Sequence, residues 1–386
     1  MRIALYHHLP AGGALRFARQ SVMSTSQEHT YVMFVPDGET TDPVLAESVA
    51  EVRHVPLGWA SGILPGRAGE LARVLEGQRA IAREIDRGDF ALVLFHPSRI
   101  TQAPTALLHV DSAPTLYFAQ EPRRRSYERG YQSWTDTRHG AWRAVTNLAR
   151  GANERMMTKL DRDALERATV VAANSAFSVE SIARAYGRDA VLCHLGVPVD
   201  DEAIPARRAD PVLLSVGALD PTKGHDLVVE ALGLLREEER PSLVIVHERV
   251  DPPFRAALEV RARDLGVGLT IRSNISDSEL AALYVEATAT VAAARLEPFG
   301  LTTLESIAHG TPVVAVREGG FRETVAHGLN GVLVDRDARS LASGIAEVFE
   351  LADLVAPDAI RKSLLPYWSW GRCVDDYRAL LERAAG

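Results

Sequence analysis

Between Glu297 and Asp335 the chain reads EPFGLTTLESIAHGTPVVAVREGGFRETVAHGLNGVLVD, and this stretch carries the residue types most able to do chemistry. Two carboxylates, Glu297 and Glu305, flank a glycine, Gly300. Ahead of them ATVAAA is a small, β-leaning apolar run, and Pro298 biases Glu297 toward extended backbone, which places Glu297 in a loop just past a strand end. LTTLESIAH sets Leu301, Leu304, Ile307 and Ala308 at helical spacing until Gly310 and Pro312 stop it, and VVAV follows as a buried strand. A strand, a glycine turn and a helix start aim free backbone N–H groups and the positive end of a helix dipole at one spot, which suits a phosphate. Glu305, about one turn into the helix, lies beside an anion held there, and a carboxylate can accept hydrogen bonds from two vicinal sugar hydroxyls. On spacing alone, a dipole-favouring helix residue and a surface loop acid explain the pair equally well.

Other chemistry-bearing residues recur at strand ends. Lys223 falls in DPTKG, between the strand VLLSVGAL and the helix DLVVEALGLL, where an ammonium can meet a phosphate, although a lone surface lysine is common. In the first half, RIALYHHL runs into PAGGALRFARQSV, and Gly12 and Gly13 let backbone approach a ligand there. The full G-x-G-x-x-G pattern is absent, which counts against a nicotinamide-dependent dehydrogenase. His96 closes the buried strand FALVLF, and the strand from Thr115 to Ala119 ends in Gln120, Glu121 and Pro122, followed by Arg123, Arg124 and Arg125. A histidine so placed is ordinarily structural, and an arginine run is ordinarily solvated. The functional alternative is a cleft that holds an anionic or polyol ligand through forked guanidinium contacts. Asp161-Arg162-Asp163 and Asp335-Arg336-Asp337 are each read as helix starts, where aspartate caps, and neither brings the further oxygens of a magnesium site, so no metal is expected.

The elements that must position these residues alternate strand and helix throughout, which implies a parallel α/β sheet in each half. With 386 residues, 46% hydrophobic and 24% charged, the chain is long enough for two domains, each with a core. The expected division is residues 1–197, a polar, proline-containing linker at 198–211, a second domain at 212–365, and an aromatic-rich terminal helix at 366–386 that returns to the first domain. A net charge of -8 argues against nucleic-acid binding. Cys193 and Cys373 lack metal-type spacing and read as free thiols in a reducing compartment. MRIALYHHL is a strand rather than a leader, and no apolar run approaches a membrane span, so the expected location is cytoplasmic. The polar, basic stretch from Trp134 to Leu160, with Trp142, Met156 and Met157, could form an amphipathic surface near an acceptor or the inner face of the membrane, or pack as an ordinary helix.

On these motifs the chain resembles the retaining glycosyltransferases of family 4, built on the two-domain GT-B fold. The family's double-glutamate signature is met by Glu297 and Glu305 in EPFGLTTLESIAHGTPVVA, and GGFRETVAHGLNGVLV, VGALDPTKG, LGVPVD, the Gly12-Gly13 turn and the YWSW segment fall in the expected order. YFAQEPRRRSYE further resembles a subgroup carrying Gln-Glu-Pro. The resemblance implies two Rossmann-like doubly wound domains facing across a cleft, and retaining transfer of a hexose-type sugar from a UDP- or GDP-sugar to an acceptor hydroxyl. It implies no metal and no cofactor, the nucleotide sugar being a substrate, with a glycan, lipid-linked or small-molecule acceptor. Glu305 would bind the ribose hydroxyls and Glu297 the transferred sugar. The amides of Phe299, Gly300, Leu301 and Thr302 would cap the diphosphate, with Lys223 as its cation and Gly12 and Gly13 approaching from the first domain. The stretch from Arg272 to Ile275 would border the base. His96, Glu121, Arg123 and Arg124 would face the acceptor, with Glu297, His96 and Lys223 as the catalytic set. Two positions depart from the family: Ala218 stands where an arginine usually flanks the diphosphate, and Gln120 where a histidine is common. Those departures keep a non-catalytic nucleotide-sugar sensor or partner subunit as the alternative.

Overall fold

The computed structural model describes residues 1–10, 12–39, 41–56, 66–128, 141–199, 204 and 210–386, with backbone alone at 66–68, 125 and 141–150. Most of the expected linker and part of the tryptophan-bearing stretch lie outside them. The chain divides into two compact units, Met1–His194 with Val374–Gly386, and Leu195–Cys373.

The first unit contains β1 (Arg2–His8), β2 (Thr30–Pro36), β3 (Glu51–Val55), β4 (Leu92–Ser98), β5 (Thr115–Phe118), β6 (Val170–Ala173) and β7 (Val191–Leu192). They form one parallel sheet in the order β3-β2-β1-β4-β5-β6-β7, so the chain winds outward from β1 in one direction and then from β4 in the other. Ile3, Ala4 and Leu5 are all fully buried, the continuous apolar run that a sheet covered on both faces demands. The C-terminal helix Trp370–Ala385 supplies part of this cover: Tyr377 is buried edge-on to Phe17 at 5.9 Å, and Arg378 pairs with Glu28 at 2.8 Å. FALVLF starts and ends earlier than the strand it forms. β4 runs from Leu92 to Ser98 because Ser98 pairs with His8, so His96 lies inside the strand rather than past its end.

The second unit contains β8 (Val212–Val216), β9 (Ser242–His247), β10 (Leu269–Ser273), β11 (Ala289–Ala292), β12 (Val313–Val316) and β13 (Gly331–Val334), again parallel, in the order β10-β9-β8-β11-β12-β13. Here the winding reverses between β8 and β11, which pair at Ala289 with Leu213 and Thr290 with Leu214. The loops leaving the carboxyl ends of these two strands therefore emerge side by side, at the switch point where open α/β sheets bind ligands. Among the described residues no helix is long and apolar enough to cross a membrane.

Candidate functional site

The loop after β8 is built to present Lys223. Asp220 accepts from the Thr222 backbone N–H at 2.9 Å and caps a short 3-10 turn, Pro221–Lys223. The aliphatic part of Lys223 lies over Gly217, where a Cβ would meet it at 3.4 Å. Gly224 then turns the chain at φ 71, against the Ala293 carbonyl, where a Cβ would collide at 2.3 Å. His225 locks the base of the loop. Its Nε2–H donates to the Ala218 carbonyl at 3.1 Å while Nδ1 accepts from the Ser215 hydroxyl at 3.0 Å, and burial pushes its pKa down to about 4, so the ring is neutral.

The loop after β11 delivers Glu297 to the same place. Arg295 N–H donates to the Thr222 carbonyl at 3.0 Å, which ties the two loops together. Leu296 adopts φ 48, a left-handed conformation unfavourable for a branched side chain and held only when neighbours enforce it. The enforcing neighbours are Gly319 and Gly320. Gly320 N–H donates to the Glu297 carbonyl at 2.8 Å, and a Cβ on Gly319 or Gly320 would come within 2.3 Å of the Glu297 carbonyl or 2.5 Å of the Phe299 Cα. Phe299 is buried, with its ring 5.6 Å from that of Trp368. As a result Lys223 Nζ stands 2.7 Å from Glu297 Oε2, an ion pair whose side chains keep 29% and 21% of their surface in solvent.

Three residues further on, Gly300 turns the chain at φ 99, where a Cβ would strike the Phe321 ring at 2.7 Å. The helix Leu301–Ala308 begins there without a side-chain cap. Glu305 follows on this helix, and the Tyr284 hydroxyl donates to its Oε2 at 3.0 Å. Tyr284 is almost wholly buried, and its ring stacks on His309 at 5.4 Å. Its carbonyl accepts from the Thr311 hydroxyl at 2.6 Å, while His309 Nδ1–H donates to the Glu305 carbonyl at 2.7 Å. Tyr284 was not among the residues singled out from the sequence. The signal is the buried phenol, which must find an acceptor. Arg272 is exposed at the end of β10, and Ile275 packs against the cluster of Leu214, Val246 and Tyr284.

In the first unit the expected residues are occupied differently. The helix Gly13–Thr25 starts after Gly12, at φ 141, with no side-chain cap. His96 is fully buried beside Phe118 and Phe17, at ring distances of 5.9 and 6.5 Å. Neither ring nitrogen has a hydrogen-bond partner among the described residues, and burial pushes its pKa down to about 3. Arg123 binds Glu154 through two nitrogens at 3.0 and 3.2 Å, and Arg124 binds Glu128 at 2.8 Å with Glu121 at 3.8 Å. The backbone N–H of Arg123 donates to the Tyr186 hydroxyl at 3.0 Å. Asp161 is not at a helix start. It lies within the helix Ala141–Arg167, fully buried, accepting from the Tyr186 hydroxyl and, at 2.8 Å, from the Ala103 N–H, and burial pushes its pKa up to about 6. Asp337 does cap its helix, accepting from Arg339 and Ser340 N–H.

The paired acids, the lysine and the open helix start all fall in one interval that known proteins share. Residues 198–357 match the family model of glycosyl transferases group 1. A D-inositol 3-phosphate glycosyltransferase from Thermobispora bispora is 34% identical over 259 residues, 62% of this chain and 56% of the relative. The chain spans about half the length of the curated relatives it matches. Among solved structures, sucrose-phosphate synthase from Thermosynechococcus elongatus superposes with a TM-score of 0.74 at 20% identity, covering 99% of this chain and 98% of that one. Anabaena HepE in complex with UDP-glucose superposes at 0.72 and 16% identity, covering 99% and 100%. At these identities the likeness shows the fold, which is the GT-B fold of these glycosyltransferase structures. The Gln-Glu-Pro subgroup finds no support in these comparisons.

Proposed function

We propose that the protein is a retaining glycosyltransferase that moves a hexose-type sugar from a UDP- or GDP-sugar to an acceptor hydroxyl without a metal. The observation that carries this reading is the Lys223–Glu297 pair at the switch point of the second sheet, beside a helix start that no side chain caps. The group 1 match over the same residues and the named activity of the Thermobispora relative support it.

In this reading the diphosphate lies against the amides of Phe299 to Thr302 and takes one of the three hydrogens of the Lys223 ammonium. Glu305, oriented by Tyr284, accepts from the ribose hydroxyls, and Glu297 accepts from hydroxyls of the sugar. Arg272 and Ile275 border the base. As the bond from C1 to the phosphate oxygen breaks, negative charge grows on the leaving diphosphate, where lysine and helix start already point; such prearranged donors stabilise a transition state at no cost of reorganisation. The acceptor oxygen forms its bond to C1 on the same face and its proton passes to the leaving phosphate. Burial of His96 makes it a wall rather than the base. Glu121, Arg123 and Arg124 border the acceptor while held by their own ion pairs. The acceptor is a glycan, a lipid-linked sugar or a small polyol.

The test is a panel of UDP-, GDP- and ADP-sugars offered to the purified protein, read by thermal shift and by released nucleoside diphosphate. A ligand at a hundredfold its Kd raises stability by about 2.7 kcal/mol. One sugar nucleotide should both stabilise the protein and be turned over. Stabilisation without any transfer or hydrolysis, unchanged in Glu297→Ala, would favour the sensor, and neither response would sink both readings.

A further inference from the structure

We infer that Glu297 also sets the preference for the intact sugar nucleotide over its nucleoside diphosphate product, and so drives product release. The inference rests on the reading of Lys223 as the phosphate cation. Glu297 Oε2 already holds the Lys223 ammonium at 2.7 Å. An ammonium has three hydrogens, so a phosphate oxygen can join it without displacing the carboxylate, and two oxygens sharing one ammonium stand about 4–5 Å apart. At that spacing, in a partly exposed site, one added negative charge changes affinity by a factor of roughly ten to a hundred.

The bound phosphate differs in charge before and after transfer. In the sugar nucleotide the β-phosphate is esterified on both sides and carries one negative charge. Once the bond to C1 breaks it is a terminal phosphate, whose second ionisation lies near pH 6, and it carries nearly two. Before transfer, the sugar hydroxyls also donate to Glu297 and offset its repulsion of the phosphate. Afterwards those donors leave with the sugar, so the carboxylate faces a more highly charged group with only the shared Lys223 ammonium between them.

The loop fixes the backbone from which Glu297 projects. Its carbonyl is held by Gly320 N–H at 2.8 Å, its predecessor Leu296 is fixed at φ 48, and Gly319 and Gly320 press against Glu297 and Phe299 at distances no side chain would allow. That fixed backbone presents the Glu297 side chain to the lysine, and the Lys223 ammonium, 2.7 Å from Oε2, is what holds the carboxylate there.

Glu297→Gln tests the idea, because it removes the charge and keeps the shape and a hydrogen-bond acceptor for Lys223. Wild type, Glu297→Gln, Glu297→Ala and Lys223→Met are titrated calorimetrically with UDP, GDP and ADP and with UDP-glucose, GDP-mannose and ADP-glucose. For the nucleotide that binds, Glu297→Gln should bind the nucleoside diphosphate at least tenfold more tightly than wild type. The sugar nucleotide should be unchanged or weaker, so the ratio of the two affinities shifts by tenfold or more. The shift should shrink in high salt, Glu297→Ala should move the ratio the same way, and Lys223→Met should weaken both ligands. A ratio unchanged in both Glu297 variants, with Lys223→Met still weakening both ligands, would overturn the inference and leave the proposed function standing. Absence of binding to every protein and every nucleotide would instead remove the proposed function, and the inference with it.

Discussion

The carboxyl ends of the two sheets use charge in opposite ways. In the first unit, the arginines that looked available are consumed by the fold: Arg123 is clamped by Glu154, Arg124 by Glu128, and His96 is sealed among aromatic rings. In the second unit the ion pair at the switch point, Lys223 with Glu297, stands beside helix starts that are left unfinished. The helices that follow Asp42, Ser175, Asp251, Ser276 and Asp337 are capped by those side chains, while those that follow Gly12, Gly224 and Gly300 have no side-chain cap. A missing cap typically costs a helix about 1 kcal/mol. Leaving it out at strand ends, where glycine also brings backbone close, is how a chain keeps N–H groups for a ligand.

That contrast can be broken most forcefully at the carboxyl end of the second sheet. Glu305→Ala and Lys223→Ala should each lower kcat/KM by at least about a hundredfold, since each removes a charged partner of the donor. Equivalent changes at Arg123 should cost mainly stability, because two of its guanidinium nitrogens are taken up by Glu154. Next in size is Gly320→Ala, whose Cβ would meet Phe299 backbone at about 2.5 Å. It should lower stability by about 2 kcal/mol and weaken donor binding in step, read by denaturant melts beside calorimetry. Smaller again is Tyr284→Phe. Losing one hydrogen bond to Glu305 should raise the donor KM roughly fivefold to tenfold with kcat nearly kept, about 1 kcal/mol. An effect on melting temperature alone would show that Tyr284 only packs.

The gentlest probe is pH. His96 and His225 are buried and His7 is half-buried, and loss of hydration pushes the folded pKa values of His96, His225 and His7 to about 3, 4 and 4, below the usual 6.5, so all three are neutral. The unfolded chain therefore binds more protons, and the stability these groups contribute, full above pH 6.5, is lost as pH falls toward 4. Asp161 works in the other direction: its folded pKa near 6 lies above the usual value, so its contribution is present at low pH and lost as pH rises through 6. Melting temperature should fall between pH 6.5 and 4, and His96→Leu should flatten that fall. A steep fall unchanged by His96→Leu would assign it to other groups.

Much of the second unit's candidate site was legible because its logic is local. Pro298, Gly300 and the helical spacing of Leu301, Leu304 and Ile307 place a helix start after a strand, and the helix Leu301–Ala308 is found there. Lys223 in its turn and the alternation of strands were equally local. What was hidden depends on contacts far apart in the chain. Arg123 meets Glu154 across 31 positions, so an arginine that looks free in one dimension is neutralised in three. Tyr284 reaches Glu305 across 21 positions, and the value of Gly319 and Gly320 appears only when their backbone is seen against Glu297. Asp161 was misplaced because an aspartate is more often a cap than a buried acceptor inside a helix.

The central claim, that the carboxyl end of the second sheet holds a nucleoside diphosphate between Lys223, the helix start at Leu301 and Glu305, is tested most directly by calorimetry. UDP, GDP and ADP are titrated into wild type, Lys223→Ala and Glu305→Gln. One nucleotide should bind wild type at a stoichiometry of one and lose at least about tenfold in each variant. Equal binding to all three proteins would place the nucleotide elsewhere and contradict the account.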